Sequence, residues 1–269
     1  MTLPRPQRPL AFSLIEIMVA VGLLSVLIIG LLAMFYQTQR AFRLGVGQVD
    51  VMESGRLVME NLGRELQETV AAEETNLVNI VFRRNDDLPP FLQPLPSARN
   101  EFRTNMLFDL FFMRKENDRW IGTAYRMNGG PAGDLYRLQY TGGNHDLRNL
   151  QSLFGAKLAD PLPTALTDEP PFSRLVDGVV HFQITPCDRN GYPIVTPAPN
   201  ARVAPGTPFY QFENDNLPAF LDLELGILEG PTYATYRARP TPQLKADYLE
   251  QQAGKVHLFR KRIPIRAAQ

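Results

Sequence analysis

The chain is 269 residues long, room for one or two domains, and its 28 Lys+Arg balance 28 Asp+Glu. That zero balance weighs against a dedicated nucleic-acid binder, which carries a basic excess, while 21% charged and 44% hydrophobic residues exclude a disordered chain. The single cysteine, Cys187, excludes an intramolecular disulfide and a cysteine-rich zinc site.

In chain order, residues 1–11 read MTLPRPQRPLA, with Arg5 and Arg8, no acid, and three prolines that disfavour a helix. Residues 17–34 then run without a charge or a proline. With its flanks, 12–36, this segment is a helix of about 25 residues and about 37 Å, enough to cross a hydrocarbon core of about 30 Å with some tilt. A secretory signal peptide has an apolar region of only about 7–15 residues ending at a small-residue cleavage site; here MFYQTQRAFR follows instead. Arg40 and Arg43 on the far side match Arg5 and Arg8 on the near side, so charge alone leaves the orientation open.

The exceptional residue is Glu16. A carboxylate inside the edge of an apolar helix is unfavourable by about 2.5–3.5 kcal/mol at mid-bilayer and less near an end. It is tolerated where a cation meets it. The block Ala11-Phe12-Ser13-Leu14-Ile15-Glu16, between a basic leader and a long apolar run, resembles the class III signal of type IV pilins and type II secretion pseudopilins. The resemblance implies cleavage by prepilin peptidase between Ala11 and Phe12, N-methylation of Phe12, and pairing of Glu16 with the terminal amine of a neighbouring subunit during assembly. It also implies a leader on the cytoplasmic side and a C-terminal domain outside. Ala11 stands where that family prefers Gly.

No proline occurs between Pro9 and Pro89, which predicts one helix over about 12–70. Past the membrane its apolar stripe is Val49, Met52, Met59, Leu62, Leu66 and Val70, at spacings of three and four. Arg56–Glu60, Glu60–Arg64 and Arg64–Glu68 lie on the opposite face at i,i+4. Gly45, Gly47, Gly55 and Gly63 each disfavour a helix interior by up to about 1 kcal/mol, and Gly45-Val46-Gly47 predicts a bend or melted step. The stripe is expected to pack on the chain's own sheet, since no heptad is sustained.

Seven runs read as strands: 77–83, 105–115, 120–127, 134–141, 176–185, 219–228 and 256–266, rich in aromatic or β-branched residues. Asn128-Gly129-Gly130-Pro131 reads as a hairpin connection. Short helices are expected near 147–158 and 244–252. Prolines mark long loops at 84–103, 159–171 and 186–208. The late layout, Gly178-Val179-Val180-His181-Phe182, then 220–228, then an arginine-rich last strand, is similar to the larger minor pseudopilins of the J class.

Catalytic chemistry is sparse. His145, His181 and His257 share no metal-ligand spacing, and no phosphate-binding or nucleophile-elbow motif occurs. Cys187 beside Asp188 reads as a bystander thiol. Glu213, Asn214, Asp215 and Asn216 form the best oxygen cluster, yet supply about half of the 6–8 ligands Ca²⁺ takes; a solvated loop is the simpler reading. Lys255, Arg260, Lys261, Arg262 and Arg266 make a basic strand that protects a sheet edge or meets an acidic neighbour or DNA.

These readings give an α+β chain: a leader at 1–11, a transmembrane assembly helix at 12–36, its continuation at 37–75, and a β-rich pilin-like domain at 76–269. The expected role is a minor pseudopilin or pilin-like subunit of the inner membrane, single-pass, with its outer domain extracytoplasmic. Expected partners are other pilins or pseudopilins and prepilin peptidase, with no cofactor, no metal and no enzymatic activity. The alternatives are a pilus-tip adhesin and an unprocessed, membrane-tethered outer domain.

Overall fold

A computed structural model describes residues 13–71, 78–84, 91–94, 102–117, 119–142, 172–194, 209–213 and 216–266. The order of elements is α1 (Leu14–Gln67), β1 (Val78–Arg84), β2 (Phe91–Pro94), β3 (Phe102–Asn105), β4 (Phe108–Glu116), β5 (Arg119–Gly129), β6 (Gly133–Gly142), β7 (Phe172–Cys187), β8 (Phe209–Glu213), β9 (Phe220–Leu228), α2 (Gly230–Arg237), α3 (Pro242–Gln251) and β10 (Val256–Pro264). The architecture is α+β, a long N-terminal helix followed by an antiparallel sheet. The chain divides into two units, Met1–Gly47 and Gln48–Gln269.

Within Met1–Gly47, α1 is exposed on every side through residues 13–38. Leu14, Ile15, Leu31 and Met34 are each more than 60% exposed. An all-round apolar helix with no covering of its own is the pattern of a membrane span, not of a surface helix. This helix is long and apolar enough to cross a bilayer. Residues 45–47 are helical, so the melted step expected at Gly45-Val46-Gly47 is absent; two glycines do not interrupt a ladder that long helical stretches propagate on both sides.

Within Gln48–Gln269, eight strands form one sheet in the order β10-β9-β7-β6-β5-β4-β1-β8, and β2 pairs with β3 separately. Residues 48–67 of α1 lie on this sheet. Their buried stripe is Val51, Gly55, Val58, Met59, Leu62 and Leu66, while Val49 and Met52 are exposed. The stripe predicted from Val49 and Met52 is corrected accordingly. Its true axis runs through a glycine, because Gly55 is where the Phe259 ring of β10 meets the helix: a Cβ there would overlap the ring. Of the predicted surface pairs, Arg56–Glu60 forms at 2.8 Å. Arg64 donates instead to Asn61, and Glu68 accepts from Arg114 at 2.7 Å.

The core under the helix joins Phe82, Leu110, Phe112, Tyr125, Phe182, Leu223, Leu225 and Ile263. The alternation Leu221, Leu223, Leu225, Ile227 faces this core, whereas Asp222 and Glu224 face away. The helix ends at Gln67, three residues short of the expected Val70. There the sheet captures the backbone: Thr69 bridges Arg114 and Val70 N–H donates to Met113 O at 3.4 Å.

All seven predicted strands are present, with ends displaced by a few residues. The start of the run 105–115 is corrected: β4 begins at Phe108, and the residues before it cross to β7, Leu107 bridging Phe182. The Asn128–Pro131 hairpin connects β5 to β6. The predicted helix at 244–252 is α3, capped by Thr241 Oγ1, which accepts from Leu244 N–H at 3.3 Å. The expected helix at 147–158 and the proline-rich loop at 159–171 lie outside the described residues.

Candidate functional site: the capped apolar helix and its seat on the sheet

The start of α1 is organised by Ser13. Glu16 N–H donates to Ser13 Oγ at 3.3 Å, and the Glu16 and Ile17 amides donate to Ser13 O at 3.1 and 3.3 Å. Ser13 is therefore the N-cap and Glu16 the third helical residue, the Ser-x-x-Glu order of a capping box. A carboxylate in this first turn is also favoured by the positive end of the helix dipole. Treating Glu16 only as a carboxylate that awaits an external cation overlooks this local support, although Ser13-Leu14-Ile15-Glu16 carries the pattern in the sequence itself. Ala11 and Phe12, the expected cleavage pair, lie outside the described residues.

Beyond Glu16 the segment offers no charge up to Arg40. Its polar side chains are satisfied internally: Ser25 Oγ donates to Val21 O at 2.8 Å and Thr38 Oγ1 to Met34 O at 2.9 Å, which lowers the penalty of placing them in an apolar medium. What remains is an exposed apolar helix with one carboxylate at its beginning. Such a surface can accept one cation and otherwise only apolar neighbours.

The far part of α1 is held by two charged clasps. Near its end, Glu65 accepts from Arg137 Nη2 at 2.5 Å and from Tyr125 Oη at 2.5 Å. Burial pushes the Tyr125 phenol well above its ordinary range, and the adjacent Glu65 charge adds to this, so Tyr125 stays a hydrogen-bond donor. Near residue 48, Gln48 Nε2 donates to Glu229 at 3.5 Å. The same buried carboxylate is met by Lys255 at 3.2 Å and His257 at 3.3 Å. A buried acid with this many donors is stabilised where an isolated one would not be. Neither clasp is legible as a pair in the sequence, because each joins residues more than 25 positions apart.

The remaining candidates have structural roles. His181 on β7 is buried, and its Nδ1 accepts from Met106 N–H at 3.0 Å; this fixes the proton on Nε2. Cys187 is buried, and burial followed by Asp222 pushes its thiol up to about 11, away from the thiolate range of reactive cysteines. His257 belongs to the Glu229 clasp. His145, Asn214 and Asp215 lie outside the described residues, and Glu213 accepts from Gln211. Among the described residues no group of three or more His, Cys, Asp or Glu could hold a metal.

The basic strand is largely neutralised from within. Arg262 holds Asp222 through two bonds of 2.7 Å and keeps that carboxyl below its usual range. Arg260 meets Glu224 at 3.1 Å, and Lys255 meets Glu229. Arg260 and Arg262 are thus committed to acids of the neighbouring strand, and β10 lies at the edge of the sheet, where such charges protect it.

No protein-family model, curated protein or solved structure matches this chain.

Proposed function

We propose that the protein is a pilin-like structural subunit, a minor pseudopilin of a type II secretion pseudopilus or type IV pilus. In this reading it is held in the inner membrane by residues 12–36 and built into a fibre after prepilin peptidase removes residues 1–11. The observation that carries the reading is one helix with two contrasting halves. Its first half is apolar, exposed all round and marked by a single acid at Glu16; its second half is seated on an antiparallel sheet through Val58, Leu62, Leu66 and the Glu65 clasp. The first half is suited to passing from lipid into a bundle of like helices. Glu16 then meets the freed amine of Phe12 on a neighbouring subunit, and the sheet domain stays outside. The role is assembly, with no catalysis, cofactor or metal.

Two measurements test it. The membrane-extracted protein, co-expressed with prepilin peptidase, should begin at N-methylated Phe12 by intact mass and N-terminal sequencing; a chain that still begins at Met1 would contradict processing. The capping box supplies the second. Glu16→Gln keeps a residue compatible with the box but removes the charge, whereas Ser13→Ala removes the cap at a cost of about 1 kcal/mol and keeps the charge. Assembly through an ion pair requires that Glu16→Gln inserts and is processed yet drops out of fibres, while Ser13→Ala is incorporated. The reverse pattern would assign Glu16 a purely local role in starting the helix.

A further inference from the structure

The apolar run of α1 gives way at residues 36–43 to Tyr-Gln-Thr-Gln-Arg-Ala-Phe-Arg, all of it still helical. Tyr36, Arg40 and Arg43 stand at i, i+4 and i+7, on one face of the helix. Phe35 and Phe42, seven residues apart, share a face further round. Tyr36 is 69% and Phe42 73% exposed, and both arginines are exposed. Among the described residues neither arginine side chain has an ion-pair partner. The sequence supplies none nearby, since no acid occurs between Glu16 and Asp50. Further along the same helix the arginines are engaged, Arg56 by Glu60 and Arg64 by Asn61.

The depth of this basic face follows from the length of the run. Ile17 to Tyr36 covers about 30 Å at 1.5 Å per residue, the thickness of one hydrocarbon core. Arg40 then lies about 6 Å past that core and Arg43 about 10 Å, where the headgroup layer is about 5–8 Å deep. Helical side chains lean toward the N-terminus of their helix, here back toward the bilayer, so both guanidinium groups reach the phosphate layer. Tyr36 sits at the boundary, its ring against acyl chains and its hydroxyl among headgroups. Thr38 also belongs to this boundary, with its hydroxyl satisfied by Met34 O. Arginines present only for solubility could stand on any face and at any distance from the span. These two share a face with the boundary tyrosine, lie one and two turns past the core and carry no carboxylate of their own. A phosphodiester offers two free oxygens that match the guanidinium fork.

We propose that Tyr36, Arg40 and Arg43 bind the phosphate of an anionic phospholipid in the leaflet where α1 leaves the membrane, and that this contact fixes the depth of the subunit in the bilayer. The site rests on the reading of residues 12–36 as a membrane span. It is independent of N-terminal processing, of Glu16 and of fibre assembly.

The test uses the full chain in nanodiscs of phosphatidylcholine containing about one-tenth phosphatidylglycerol. Incorporation into the discs reads the span itself, and a chain that stays soluble without them would overturn the span and the site together. Lipids that remain bound after the discs are stripped in mild detergent are counted by native mass spectrometry. The wild type is expected to retain phosphatidylglycerol at about three times its share of the bilayer or more. Arg40→Gln/Arg43→Gln keeps good helix formers, should incorporate equally and should retain the lipid only at its share. Arg56→Gln/Arg64→Gln, past the headgroup layer, should match the wild type. Wild-type retention at the bulk share, unchanged enrichment in Arg40→Gln/Arg43→Gln, or an equal loss in Arg56→Gln/Arg64→Gln would each overturn the proposal. So would displacement of the lipid by inorganic phosphate, which would assign the two arginines to a free anion.

Discussion

At the scale of single residues, His181 shows how a titratable group becomes a purely structural one. Met106 N–H needs the lone pair on Nδ1, and Nε2 faces Glu224 at 3.5 Å, too far for a well-formed hydrogen bond. Glu224 is already held by Arg103 at 2.6 Å and Arg260 at 3.1 Å. Burial, with Arg103 and Arg260 adding to it, pushes the imidazole from 6.5 down to about 3. Between those values the unfolded chain binds a proton that the folded chain refuses, so stability falls as pH falls through that window. Above 6.5 the group contributes no pH dependence. At pH 5 the loss reaches about 2 kcal/mol. In His181→Asn, the side-chain oxygen can take the Met106 amide and does not titrate. Denaturant titrations at pH 7 and pH 5 should therefore show the wild type losing about 2 kcal/mol more than the variant. Parallel losses would mean that His181 is protonated in the fold.

At the scale of elements, the contact of α1 with β10 depends on a residue that helix propensity disfavours. An exposed Gly→Ala change in a helix gains about 1 kcal/mol. At Gly55 the added Cβ would overlap three atoms of the Phe259 ring, so Gly55→Ala should instead lose about 1–3 kcal/mol through overpacking. Phe259→Leu in the same chain should recover part of that loss, read as a non-additive double-mutant cycle. A stabilised Gly55→Ala would show that the ring moves aside freely. Gly63 is a milder version, where an added methyl would lie 3.0 Å from Lys261 Nζ and 3.4 Å from Ile263. These two glycines explain why a stripe drawn through apolar residues alone is rotated away from the true one: the positions of closest packing carry no side chain to count.

At the scale of the whole molecule, residues 48–269 carry their own core. Every member of the main cluster lies at Val51 or beyond, and the described residues of the first unit bury no side chain. Expressed without residues 1–47, the body is expected to be soluble without detergent and to unfold cooperatively at the temperature found for the full chain in micelles. Circular dichroism and sedimentation velocity measure both. Aggregation or a non-cooperative melt would mean that the apolar half of α1 contributes to folding and not only to membrane residence.

Local physics is enough to read the α+β class, the long exposed apolar helix, seven strands, the β5–β6 hairpin and α3 from the amino-acid order. Most of these rest on proline-free apolar length, alternation or turn residues. The same reading does not disclose β2, β3 and β8, runs of only four or five residues among prolines, nor α2, whose GPTYATYR begins with two helix-unfavourable residues. The seat of α1, the Glu65 and Glu229 clasps, and the matching of the basic strand to Asp222 and Glu224 exist only in the folded chain. Glu65 meets Arg137 across 72 positions and Arg262 meets Asp222 across 40, separations that only the strand order of the sheet brings within reach of a hydrogen bond.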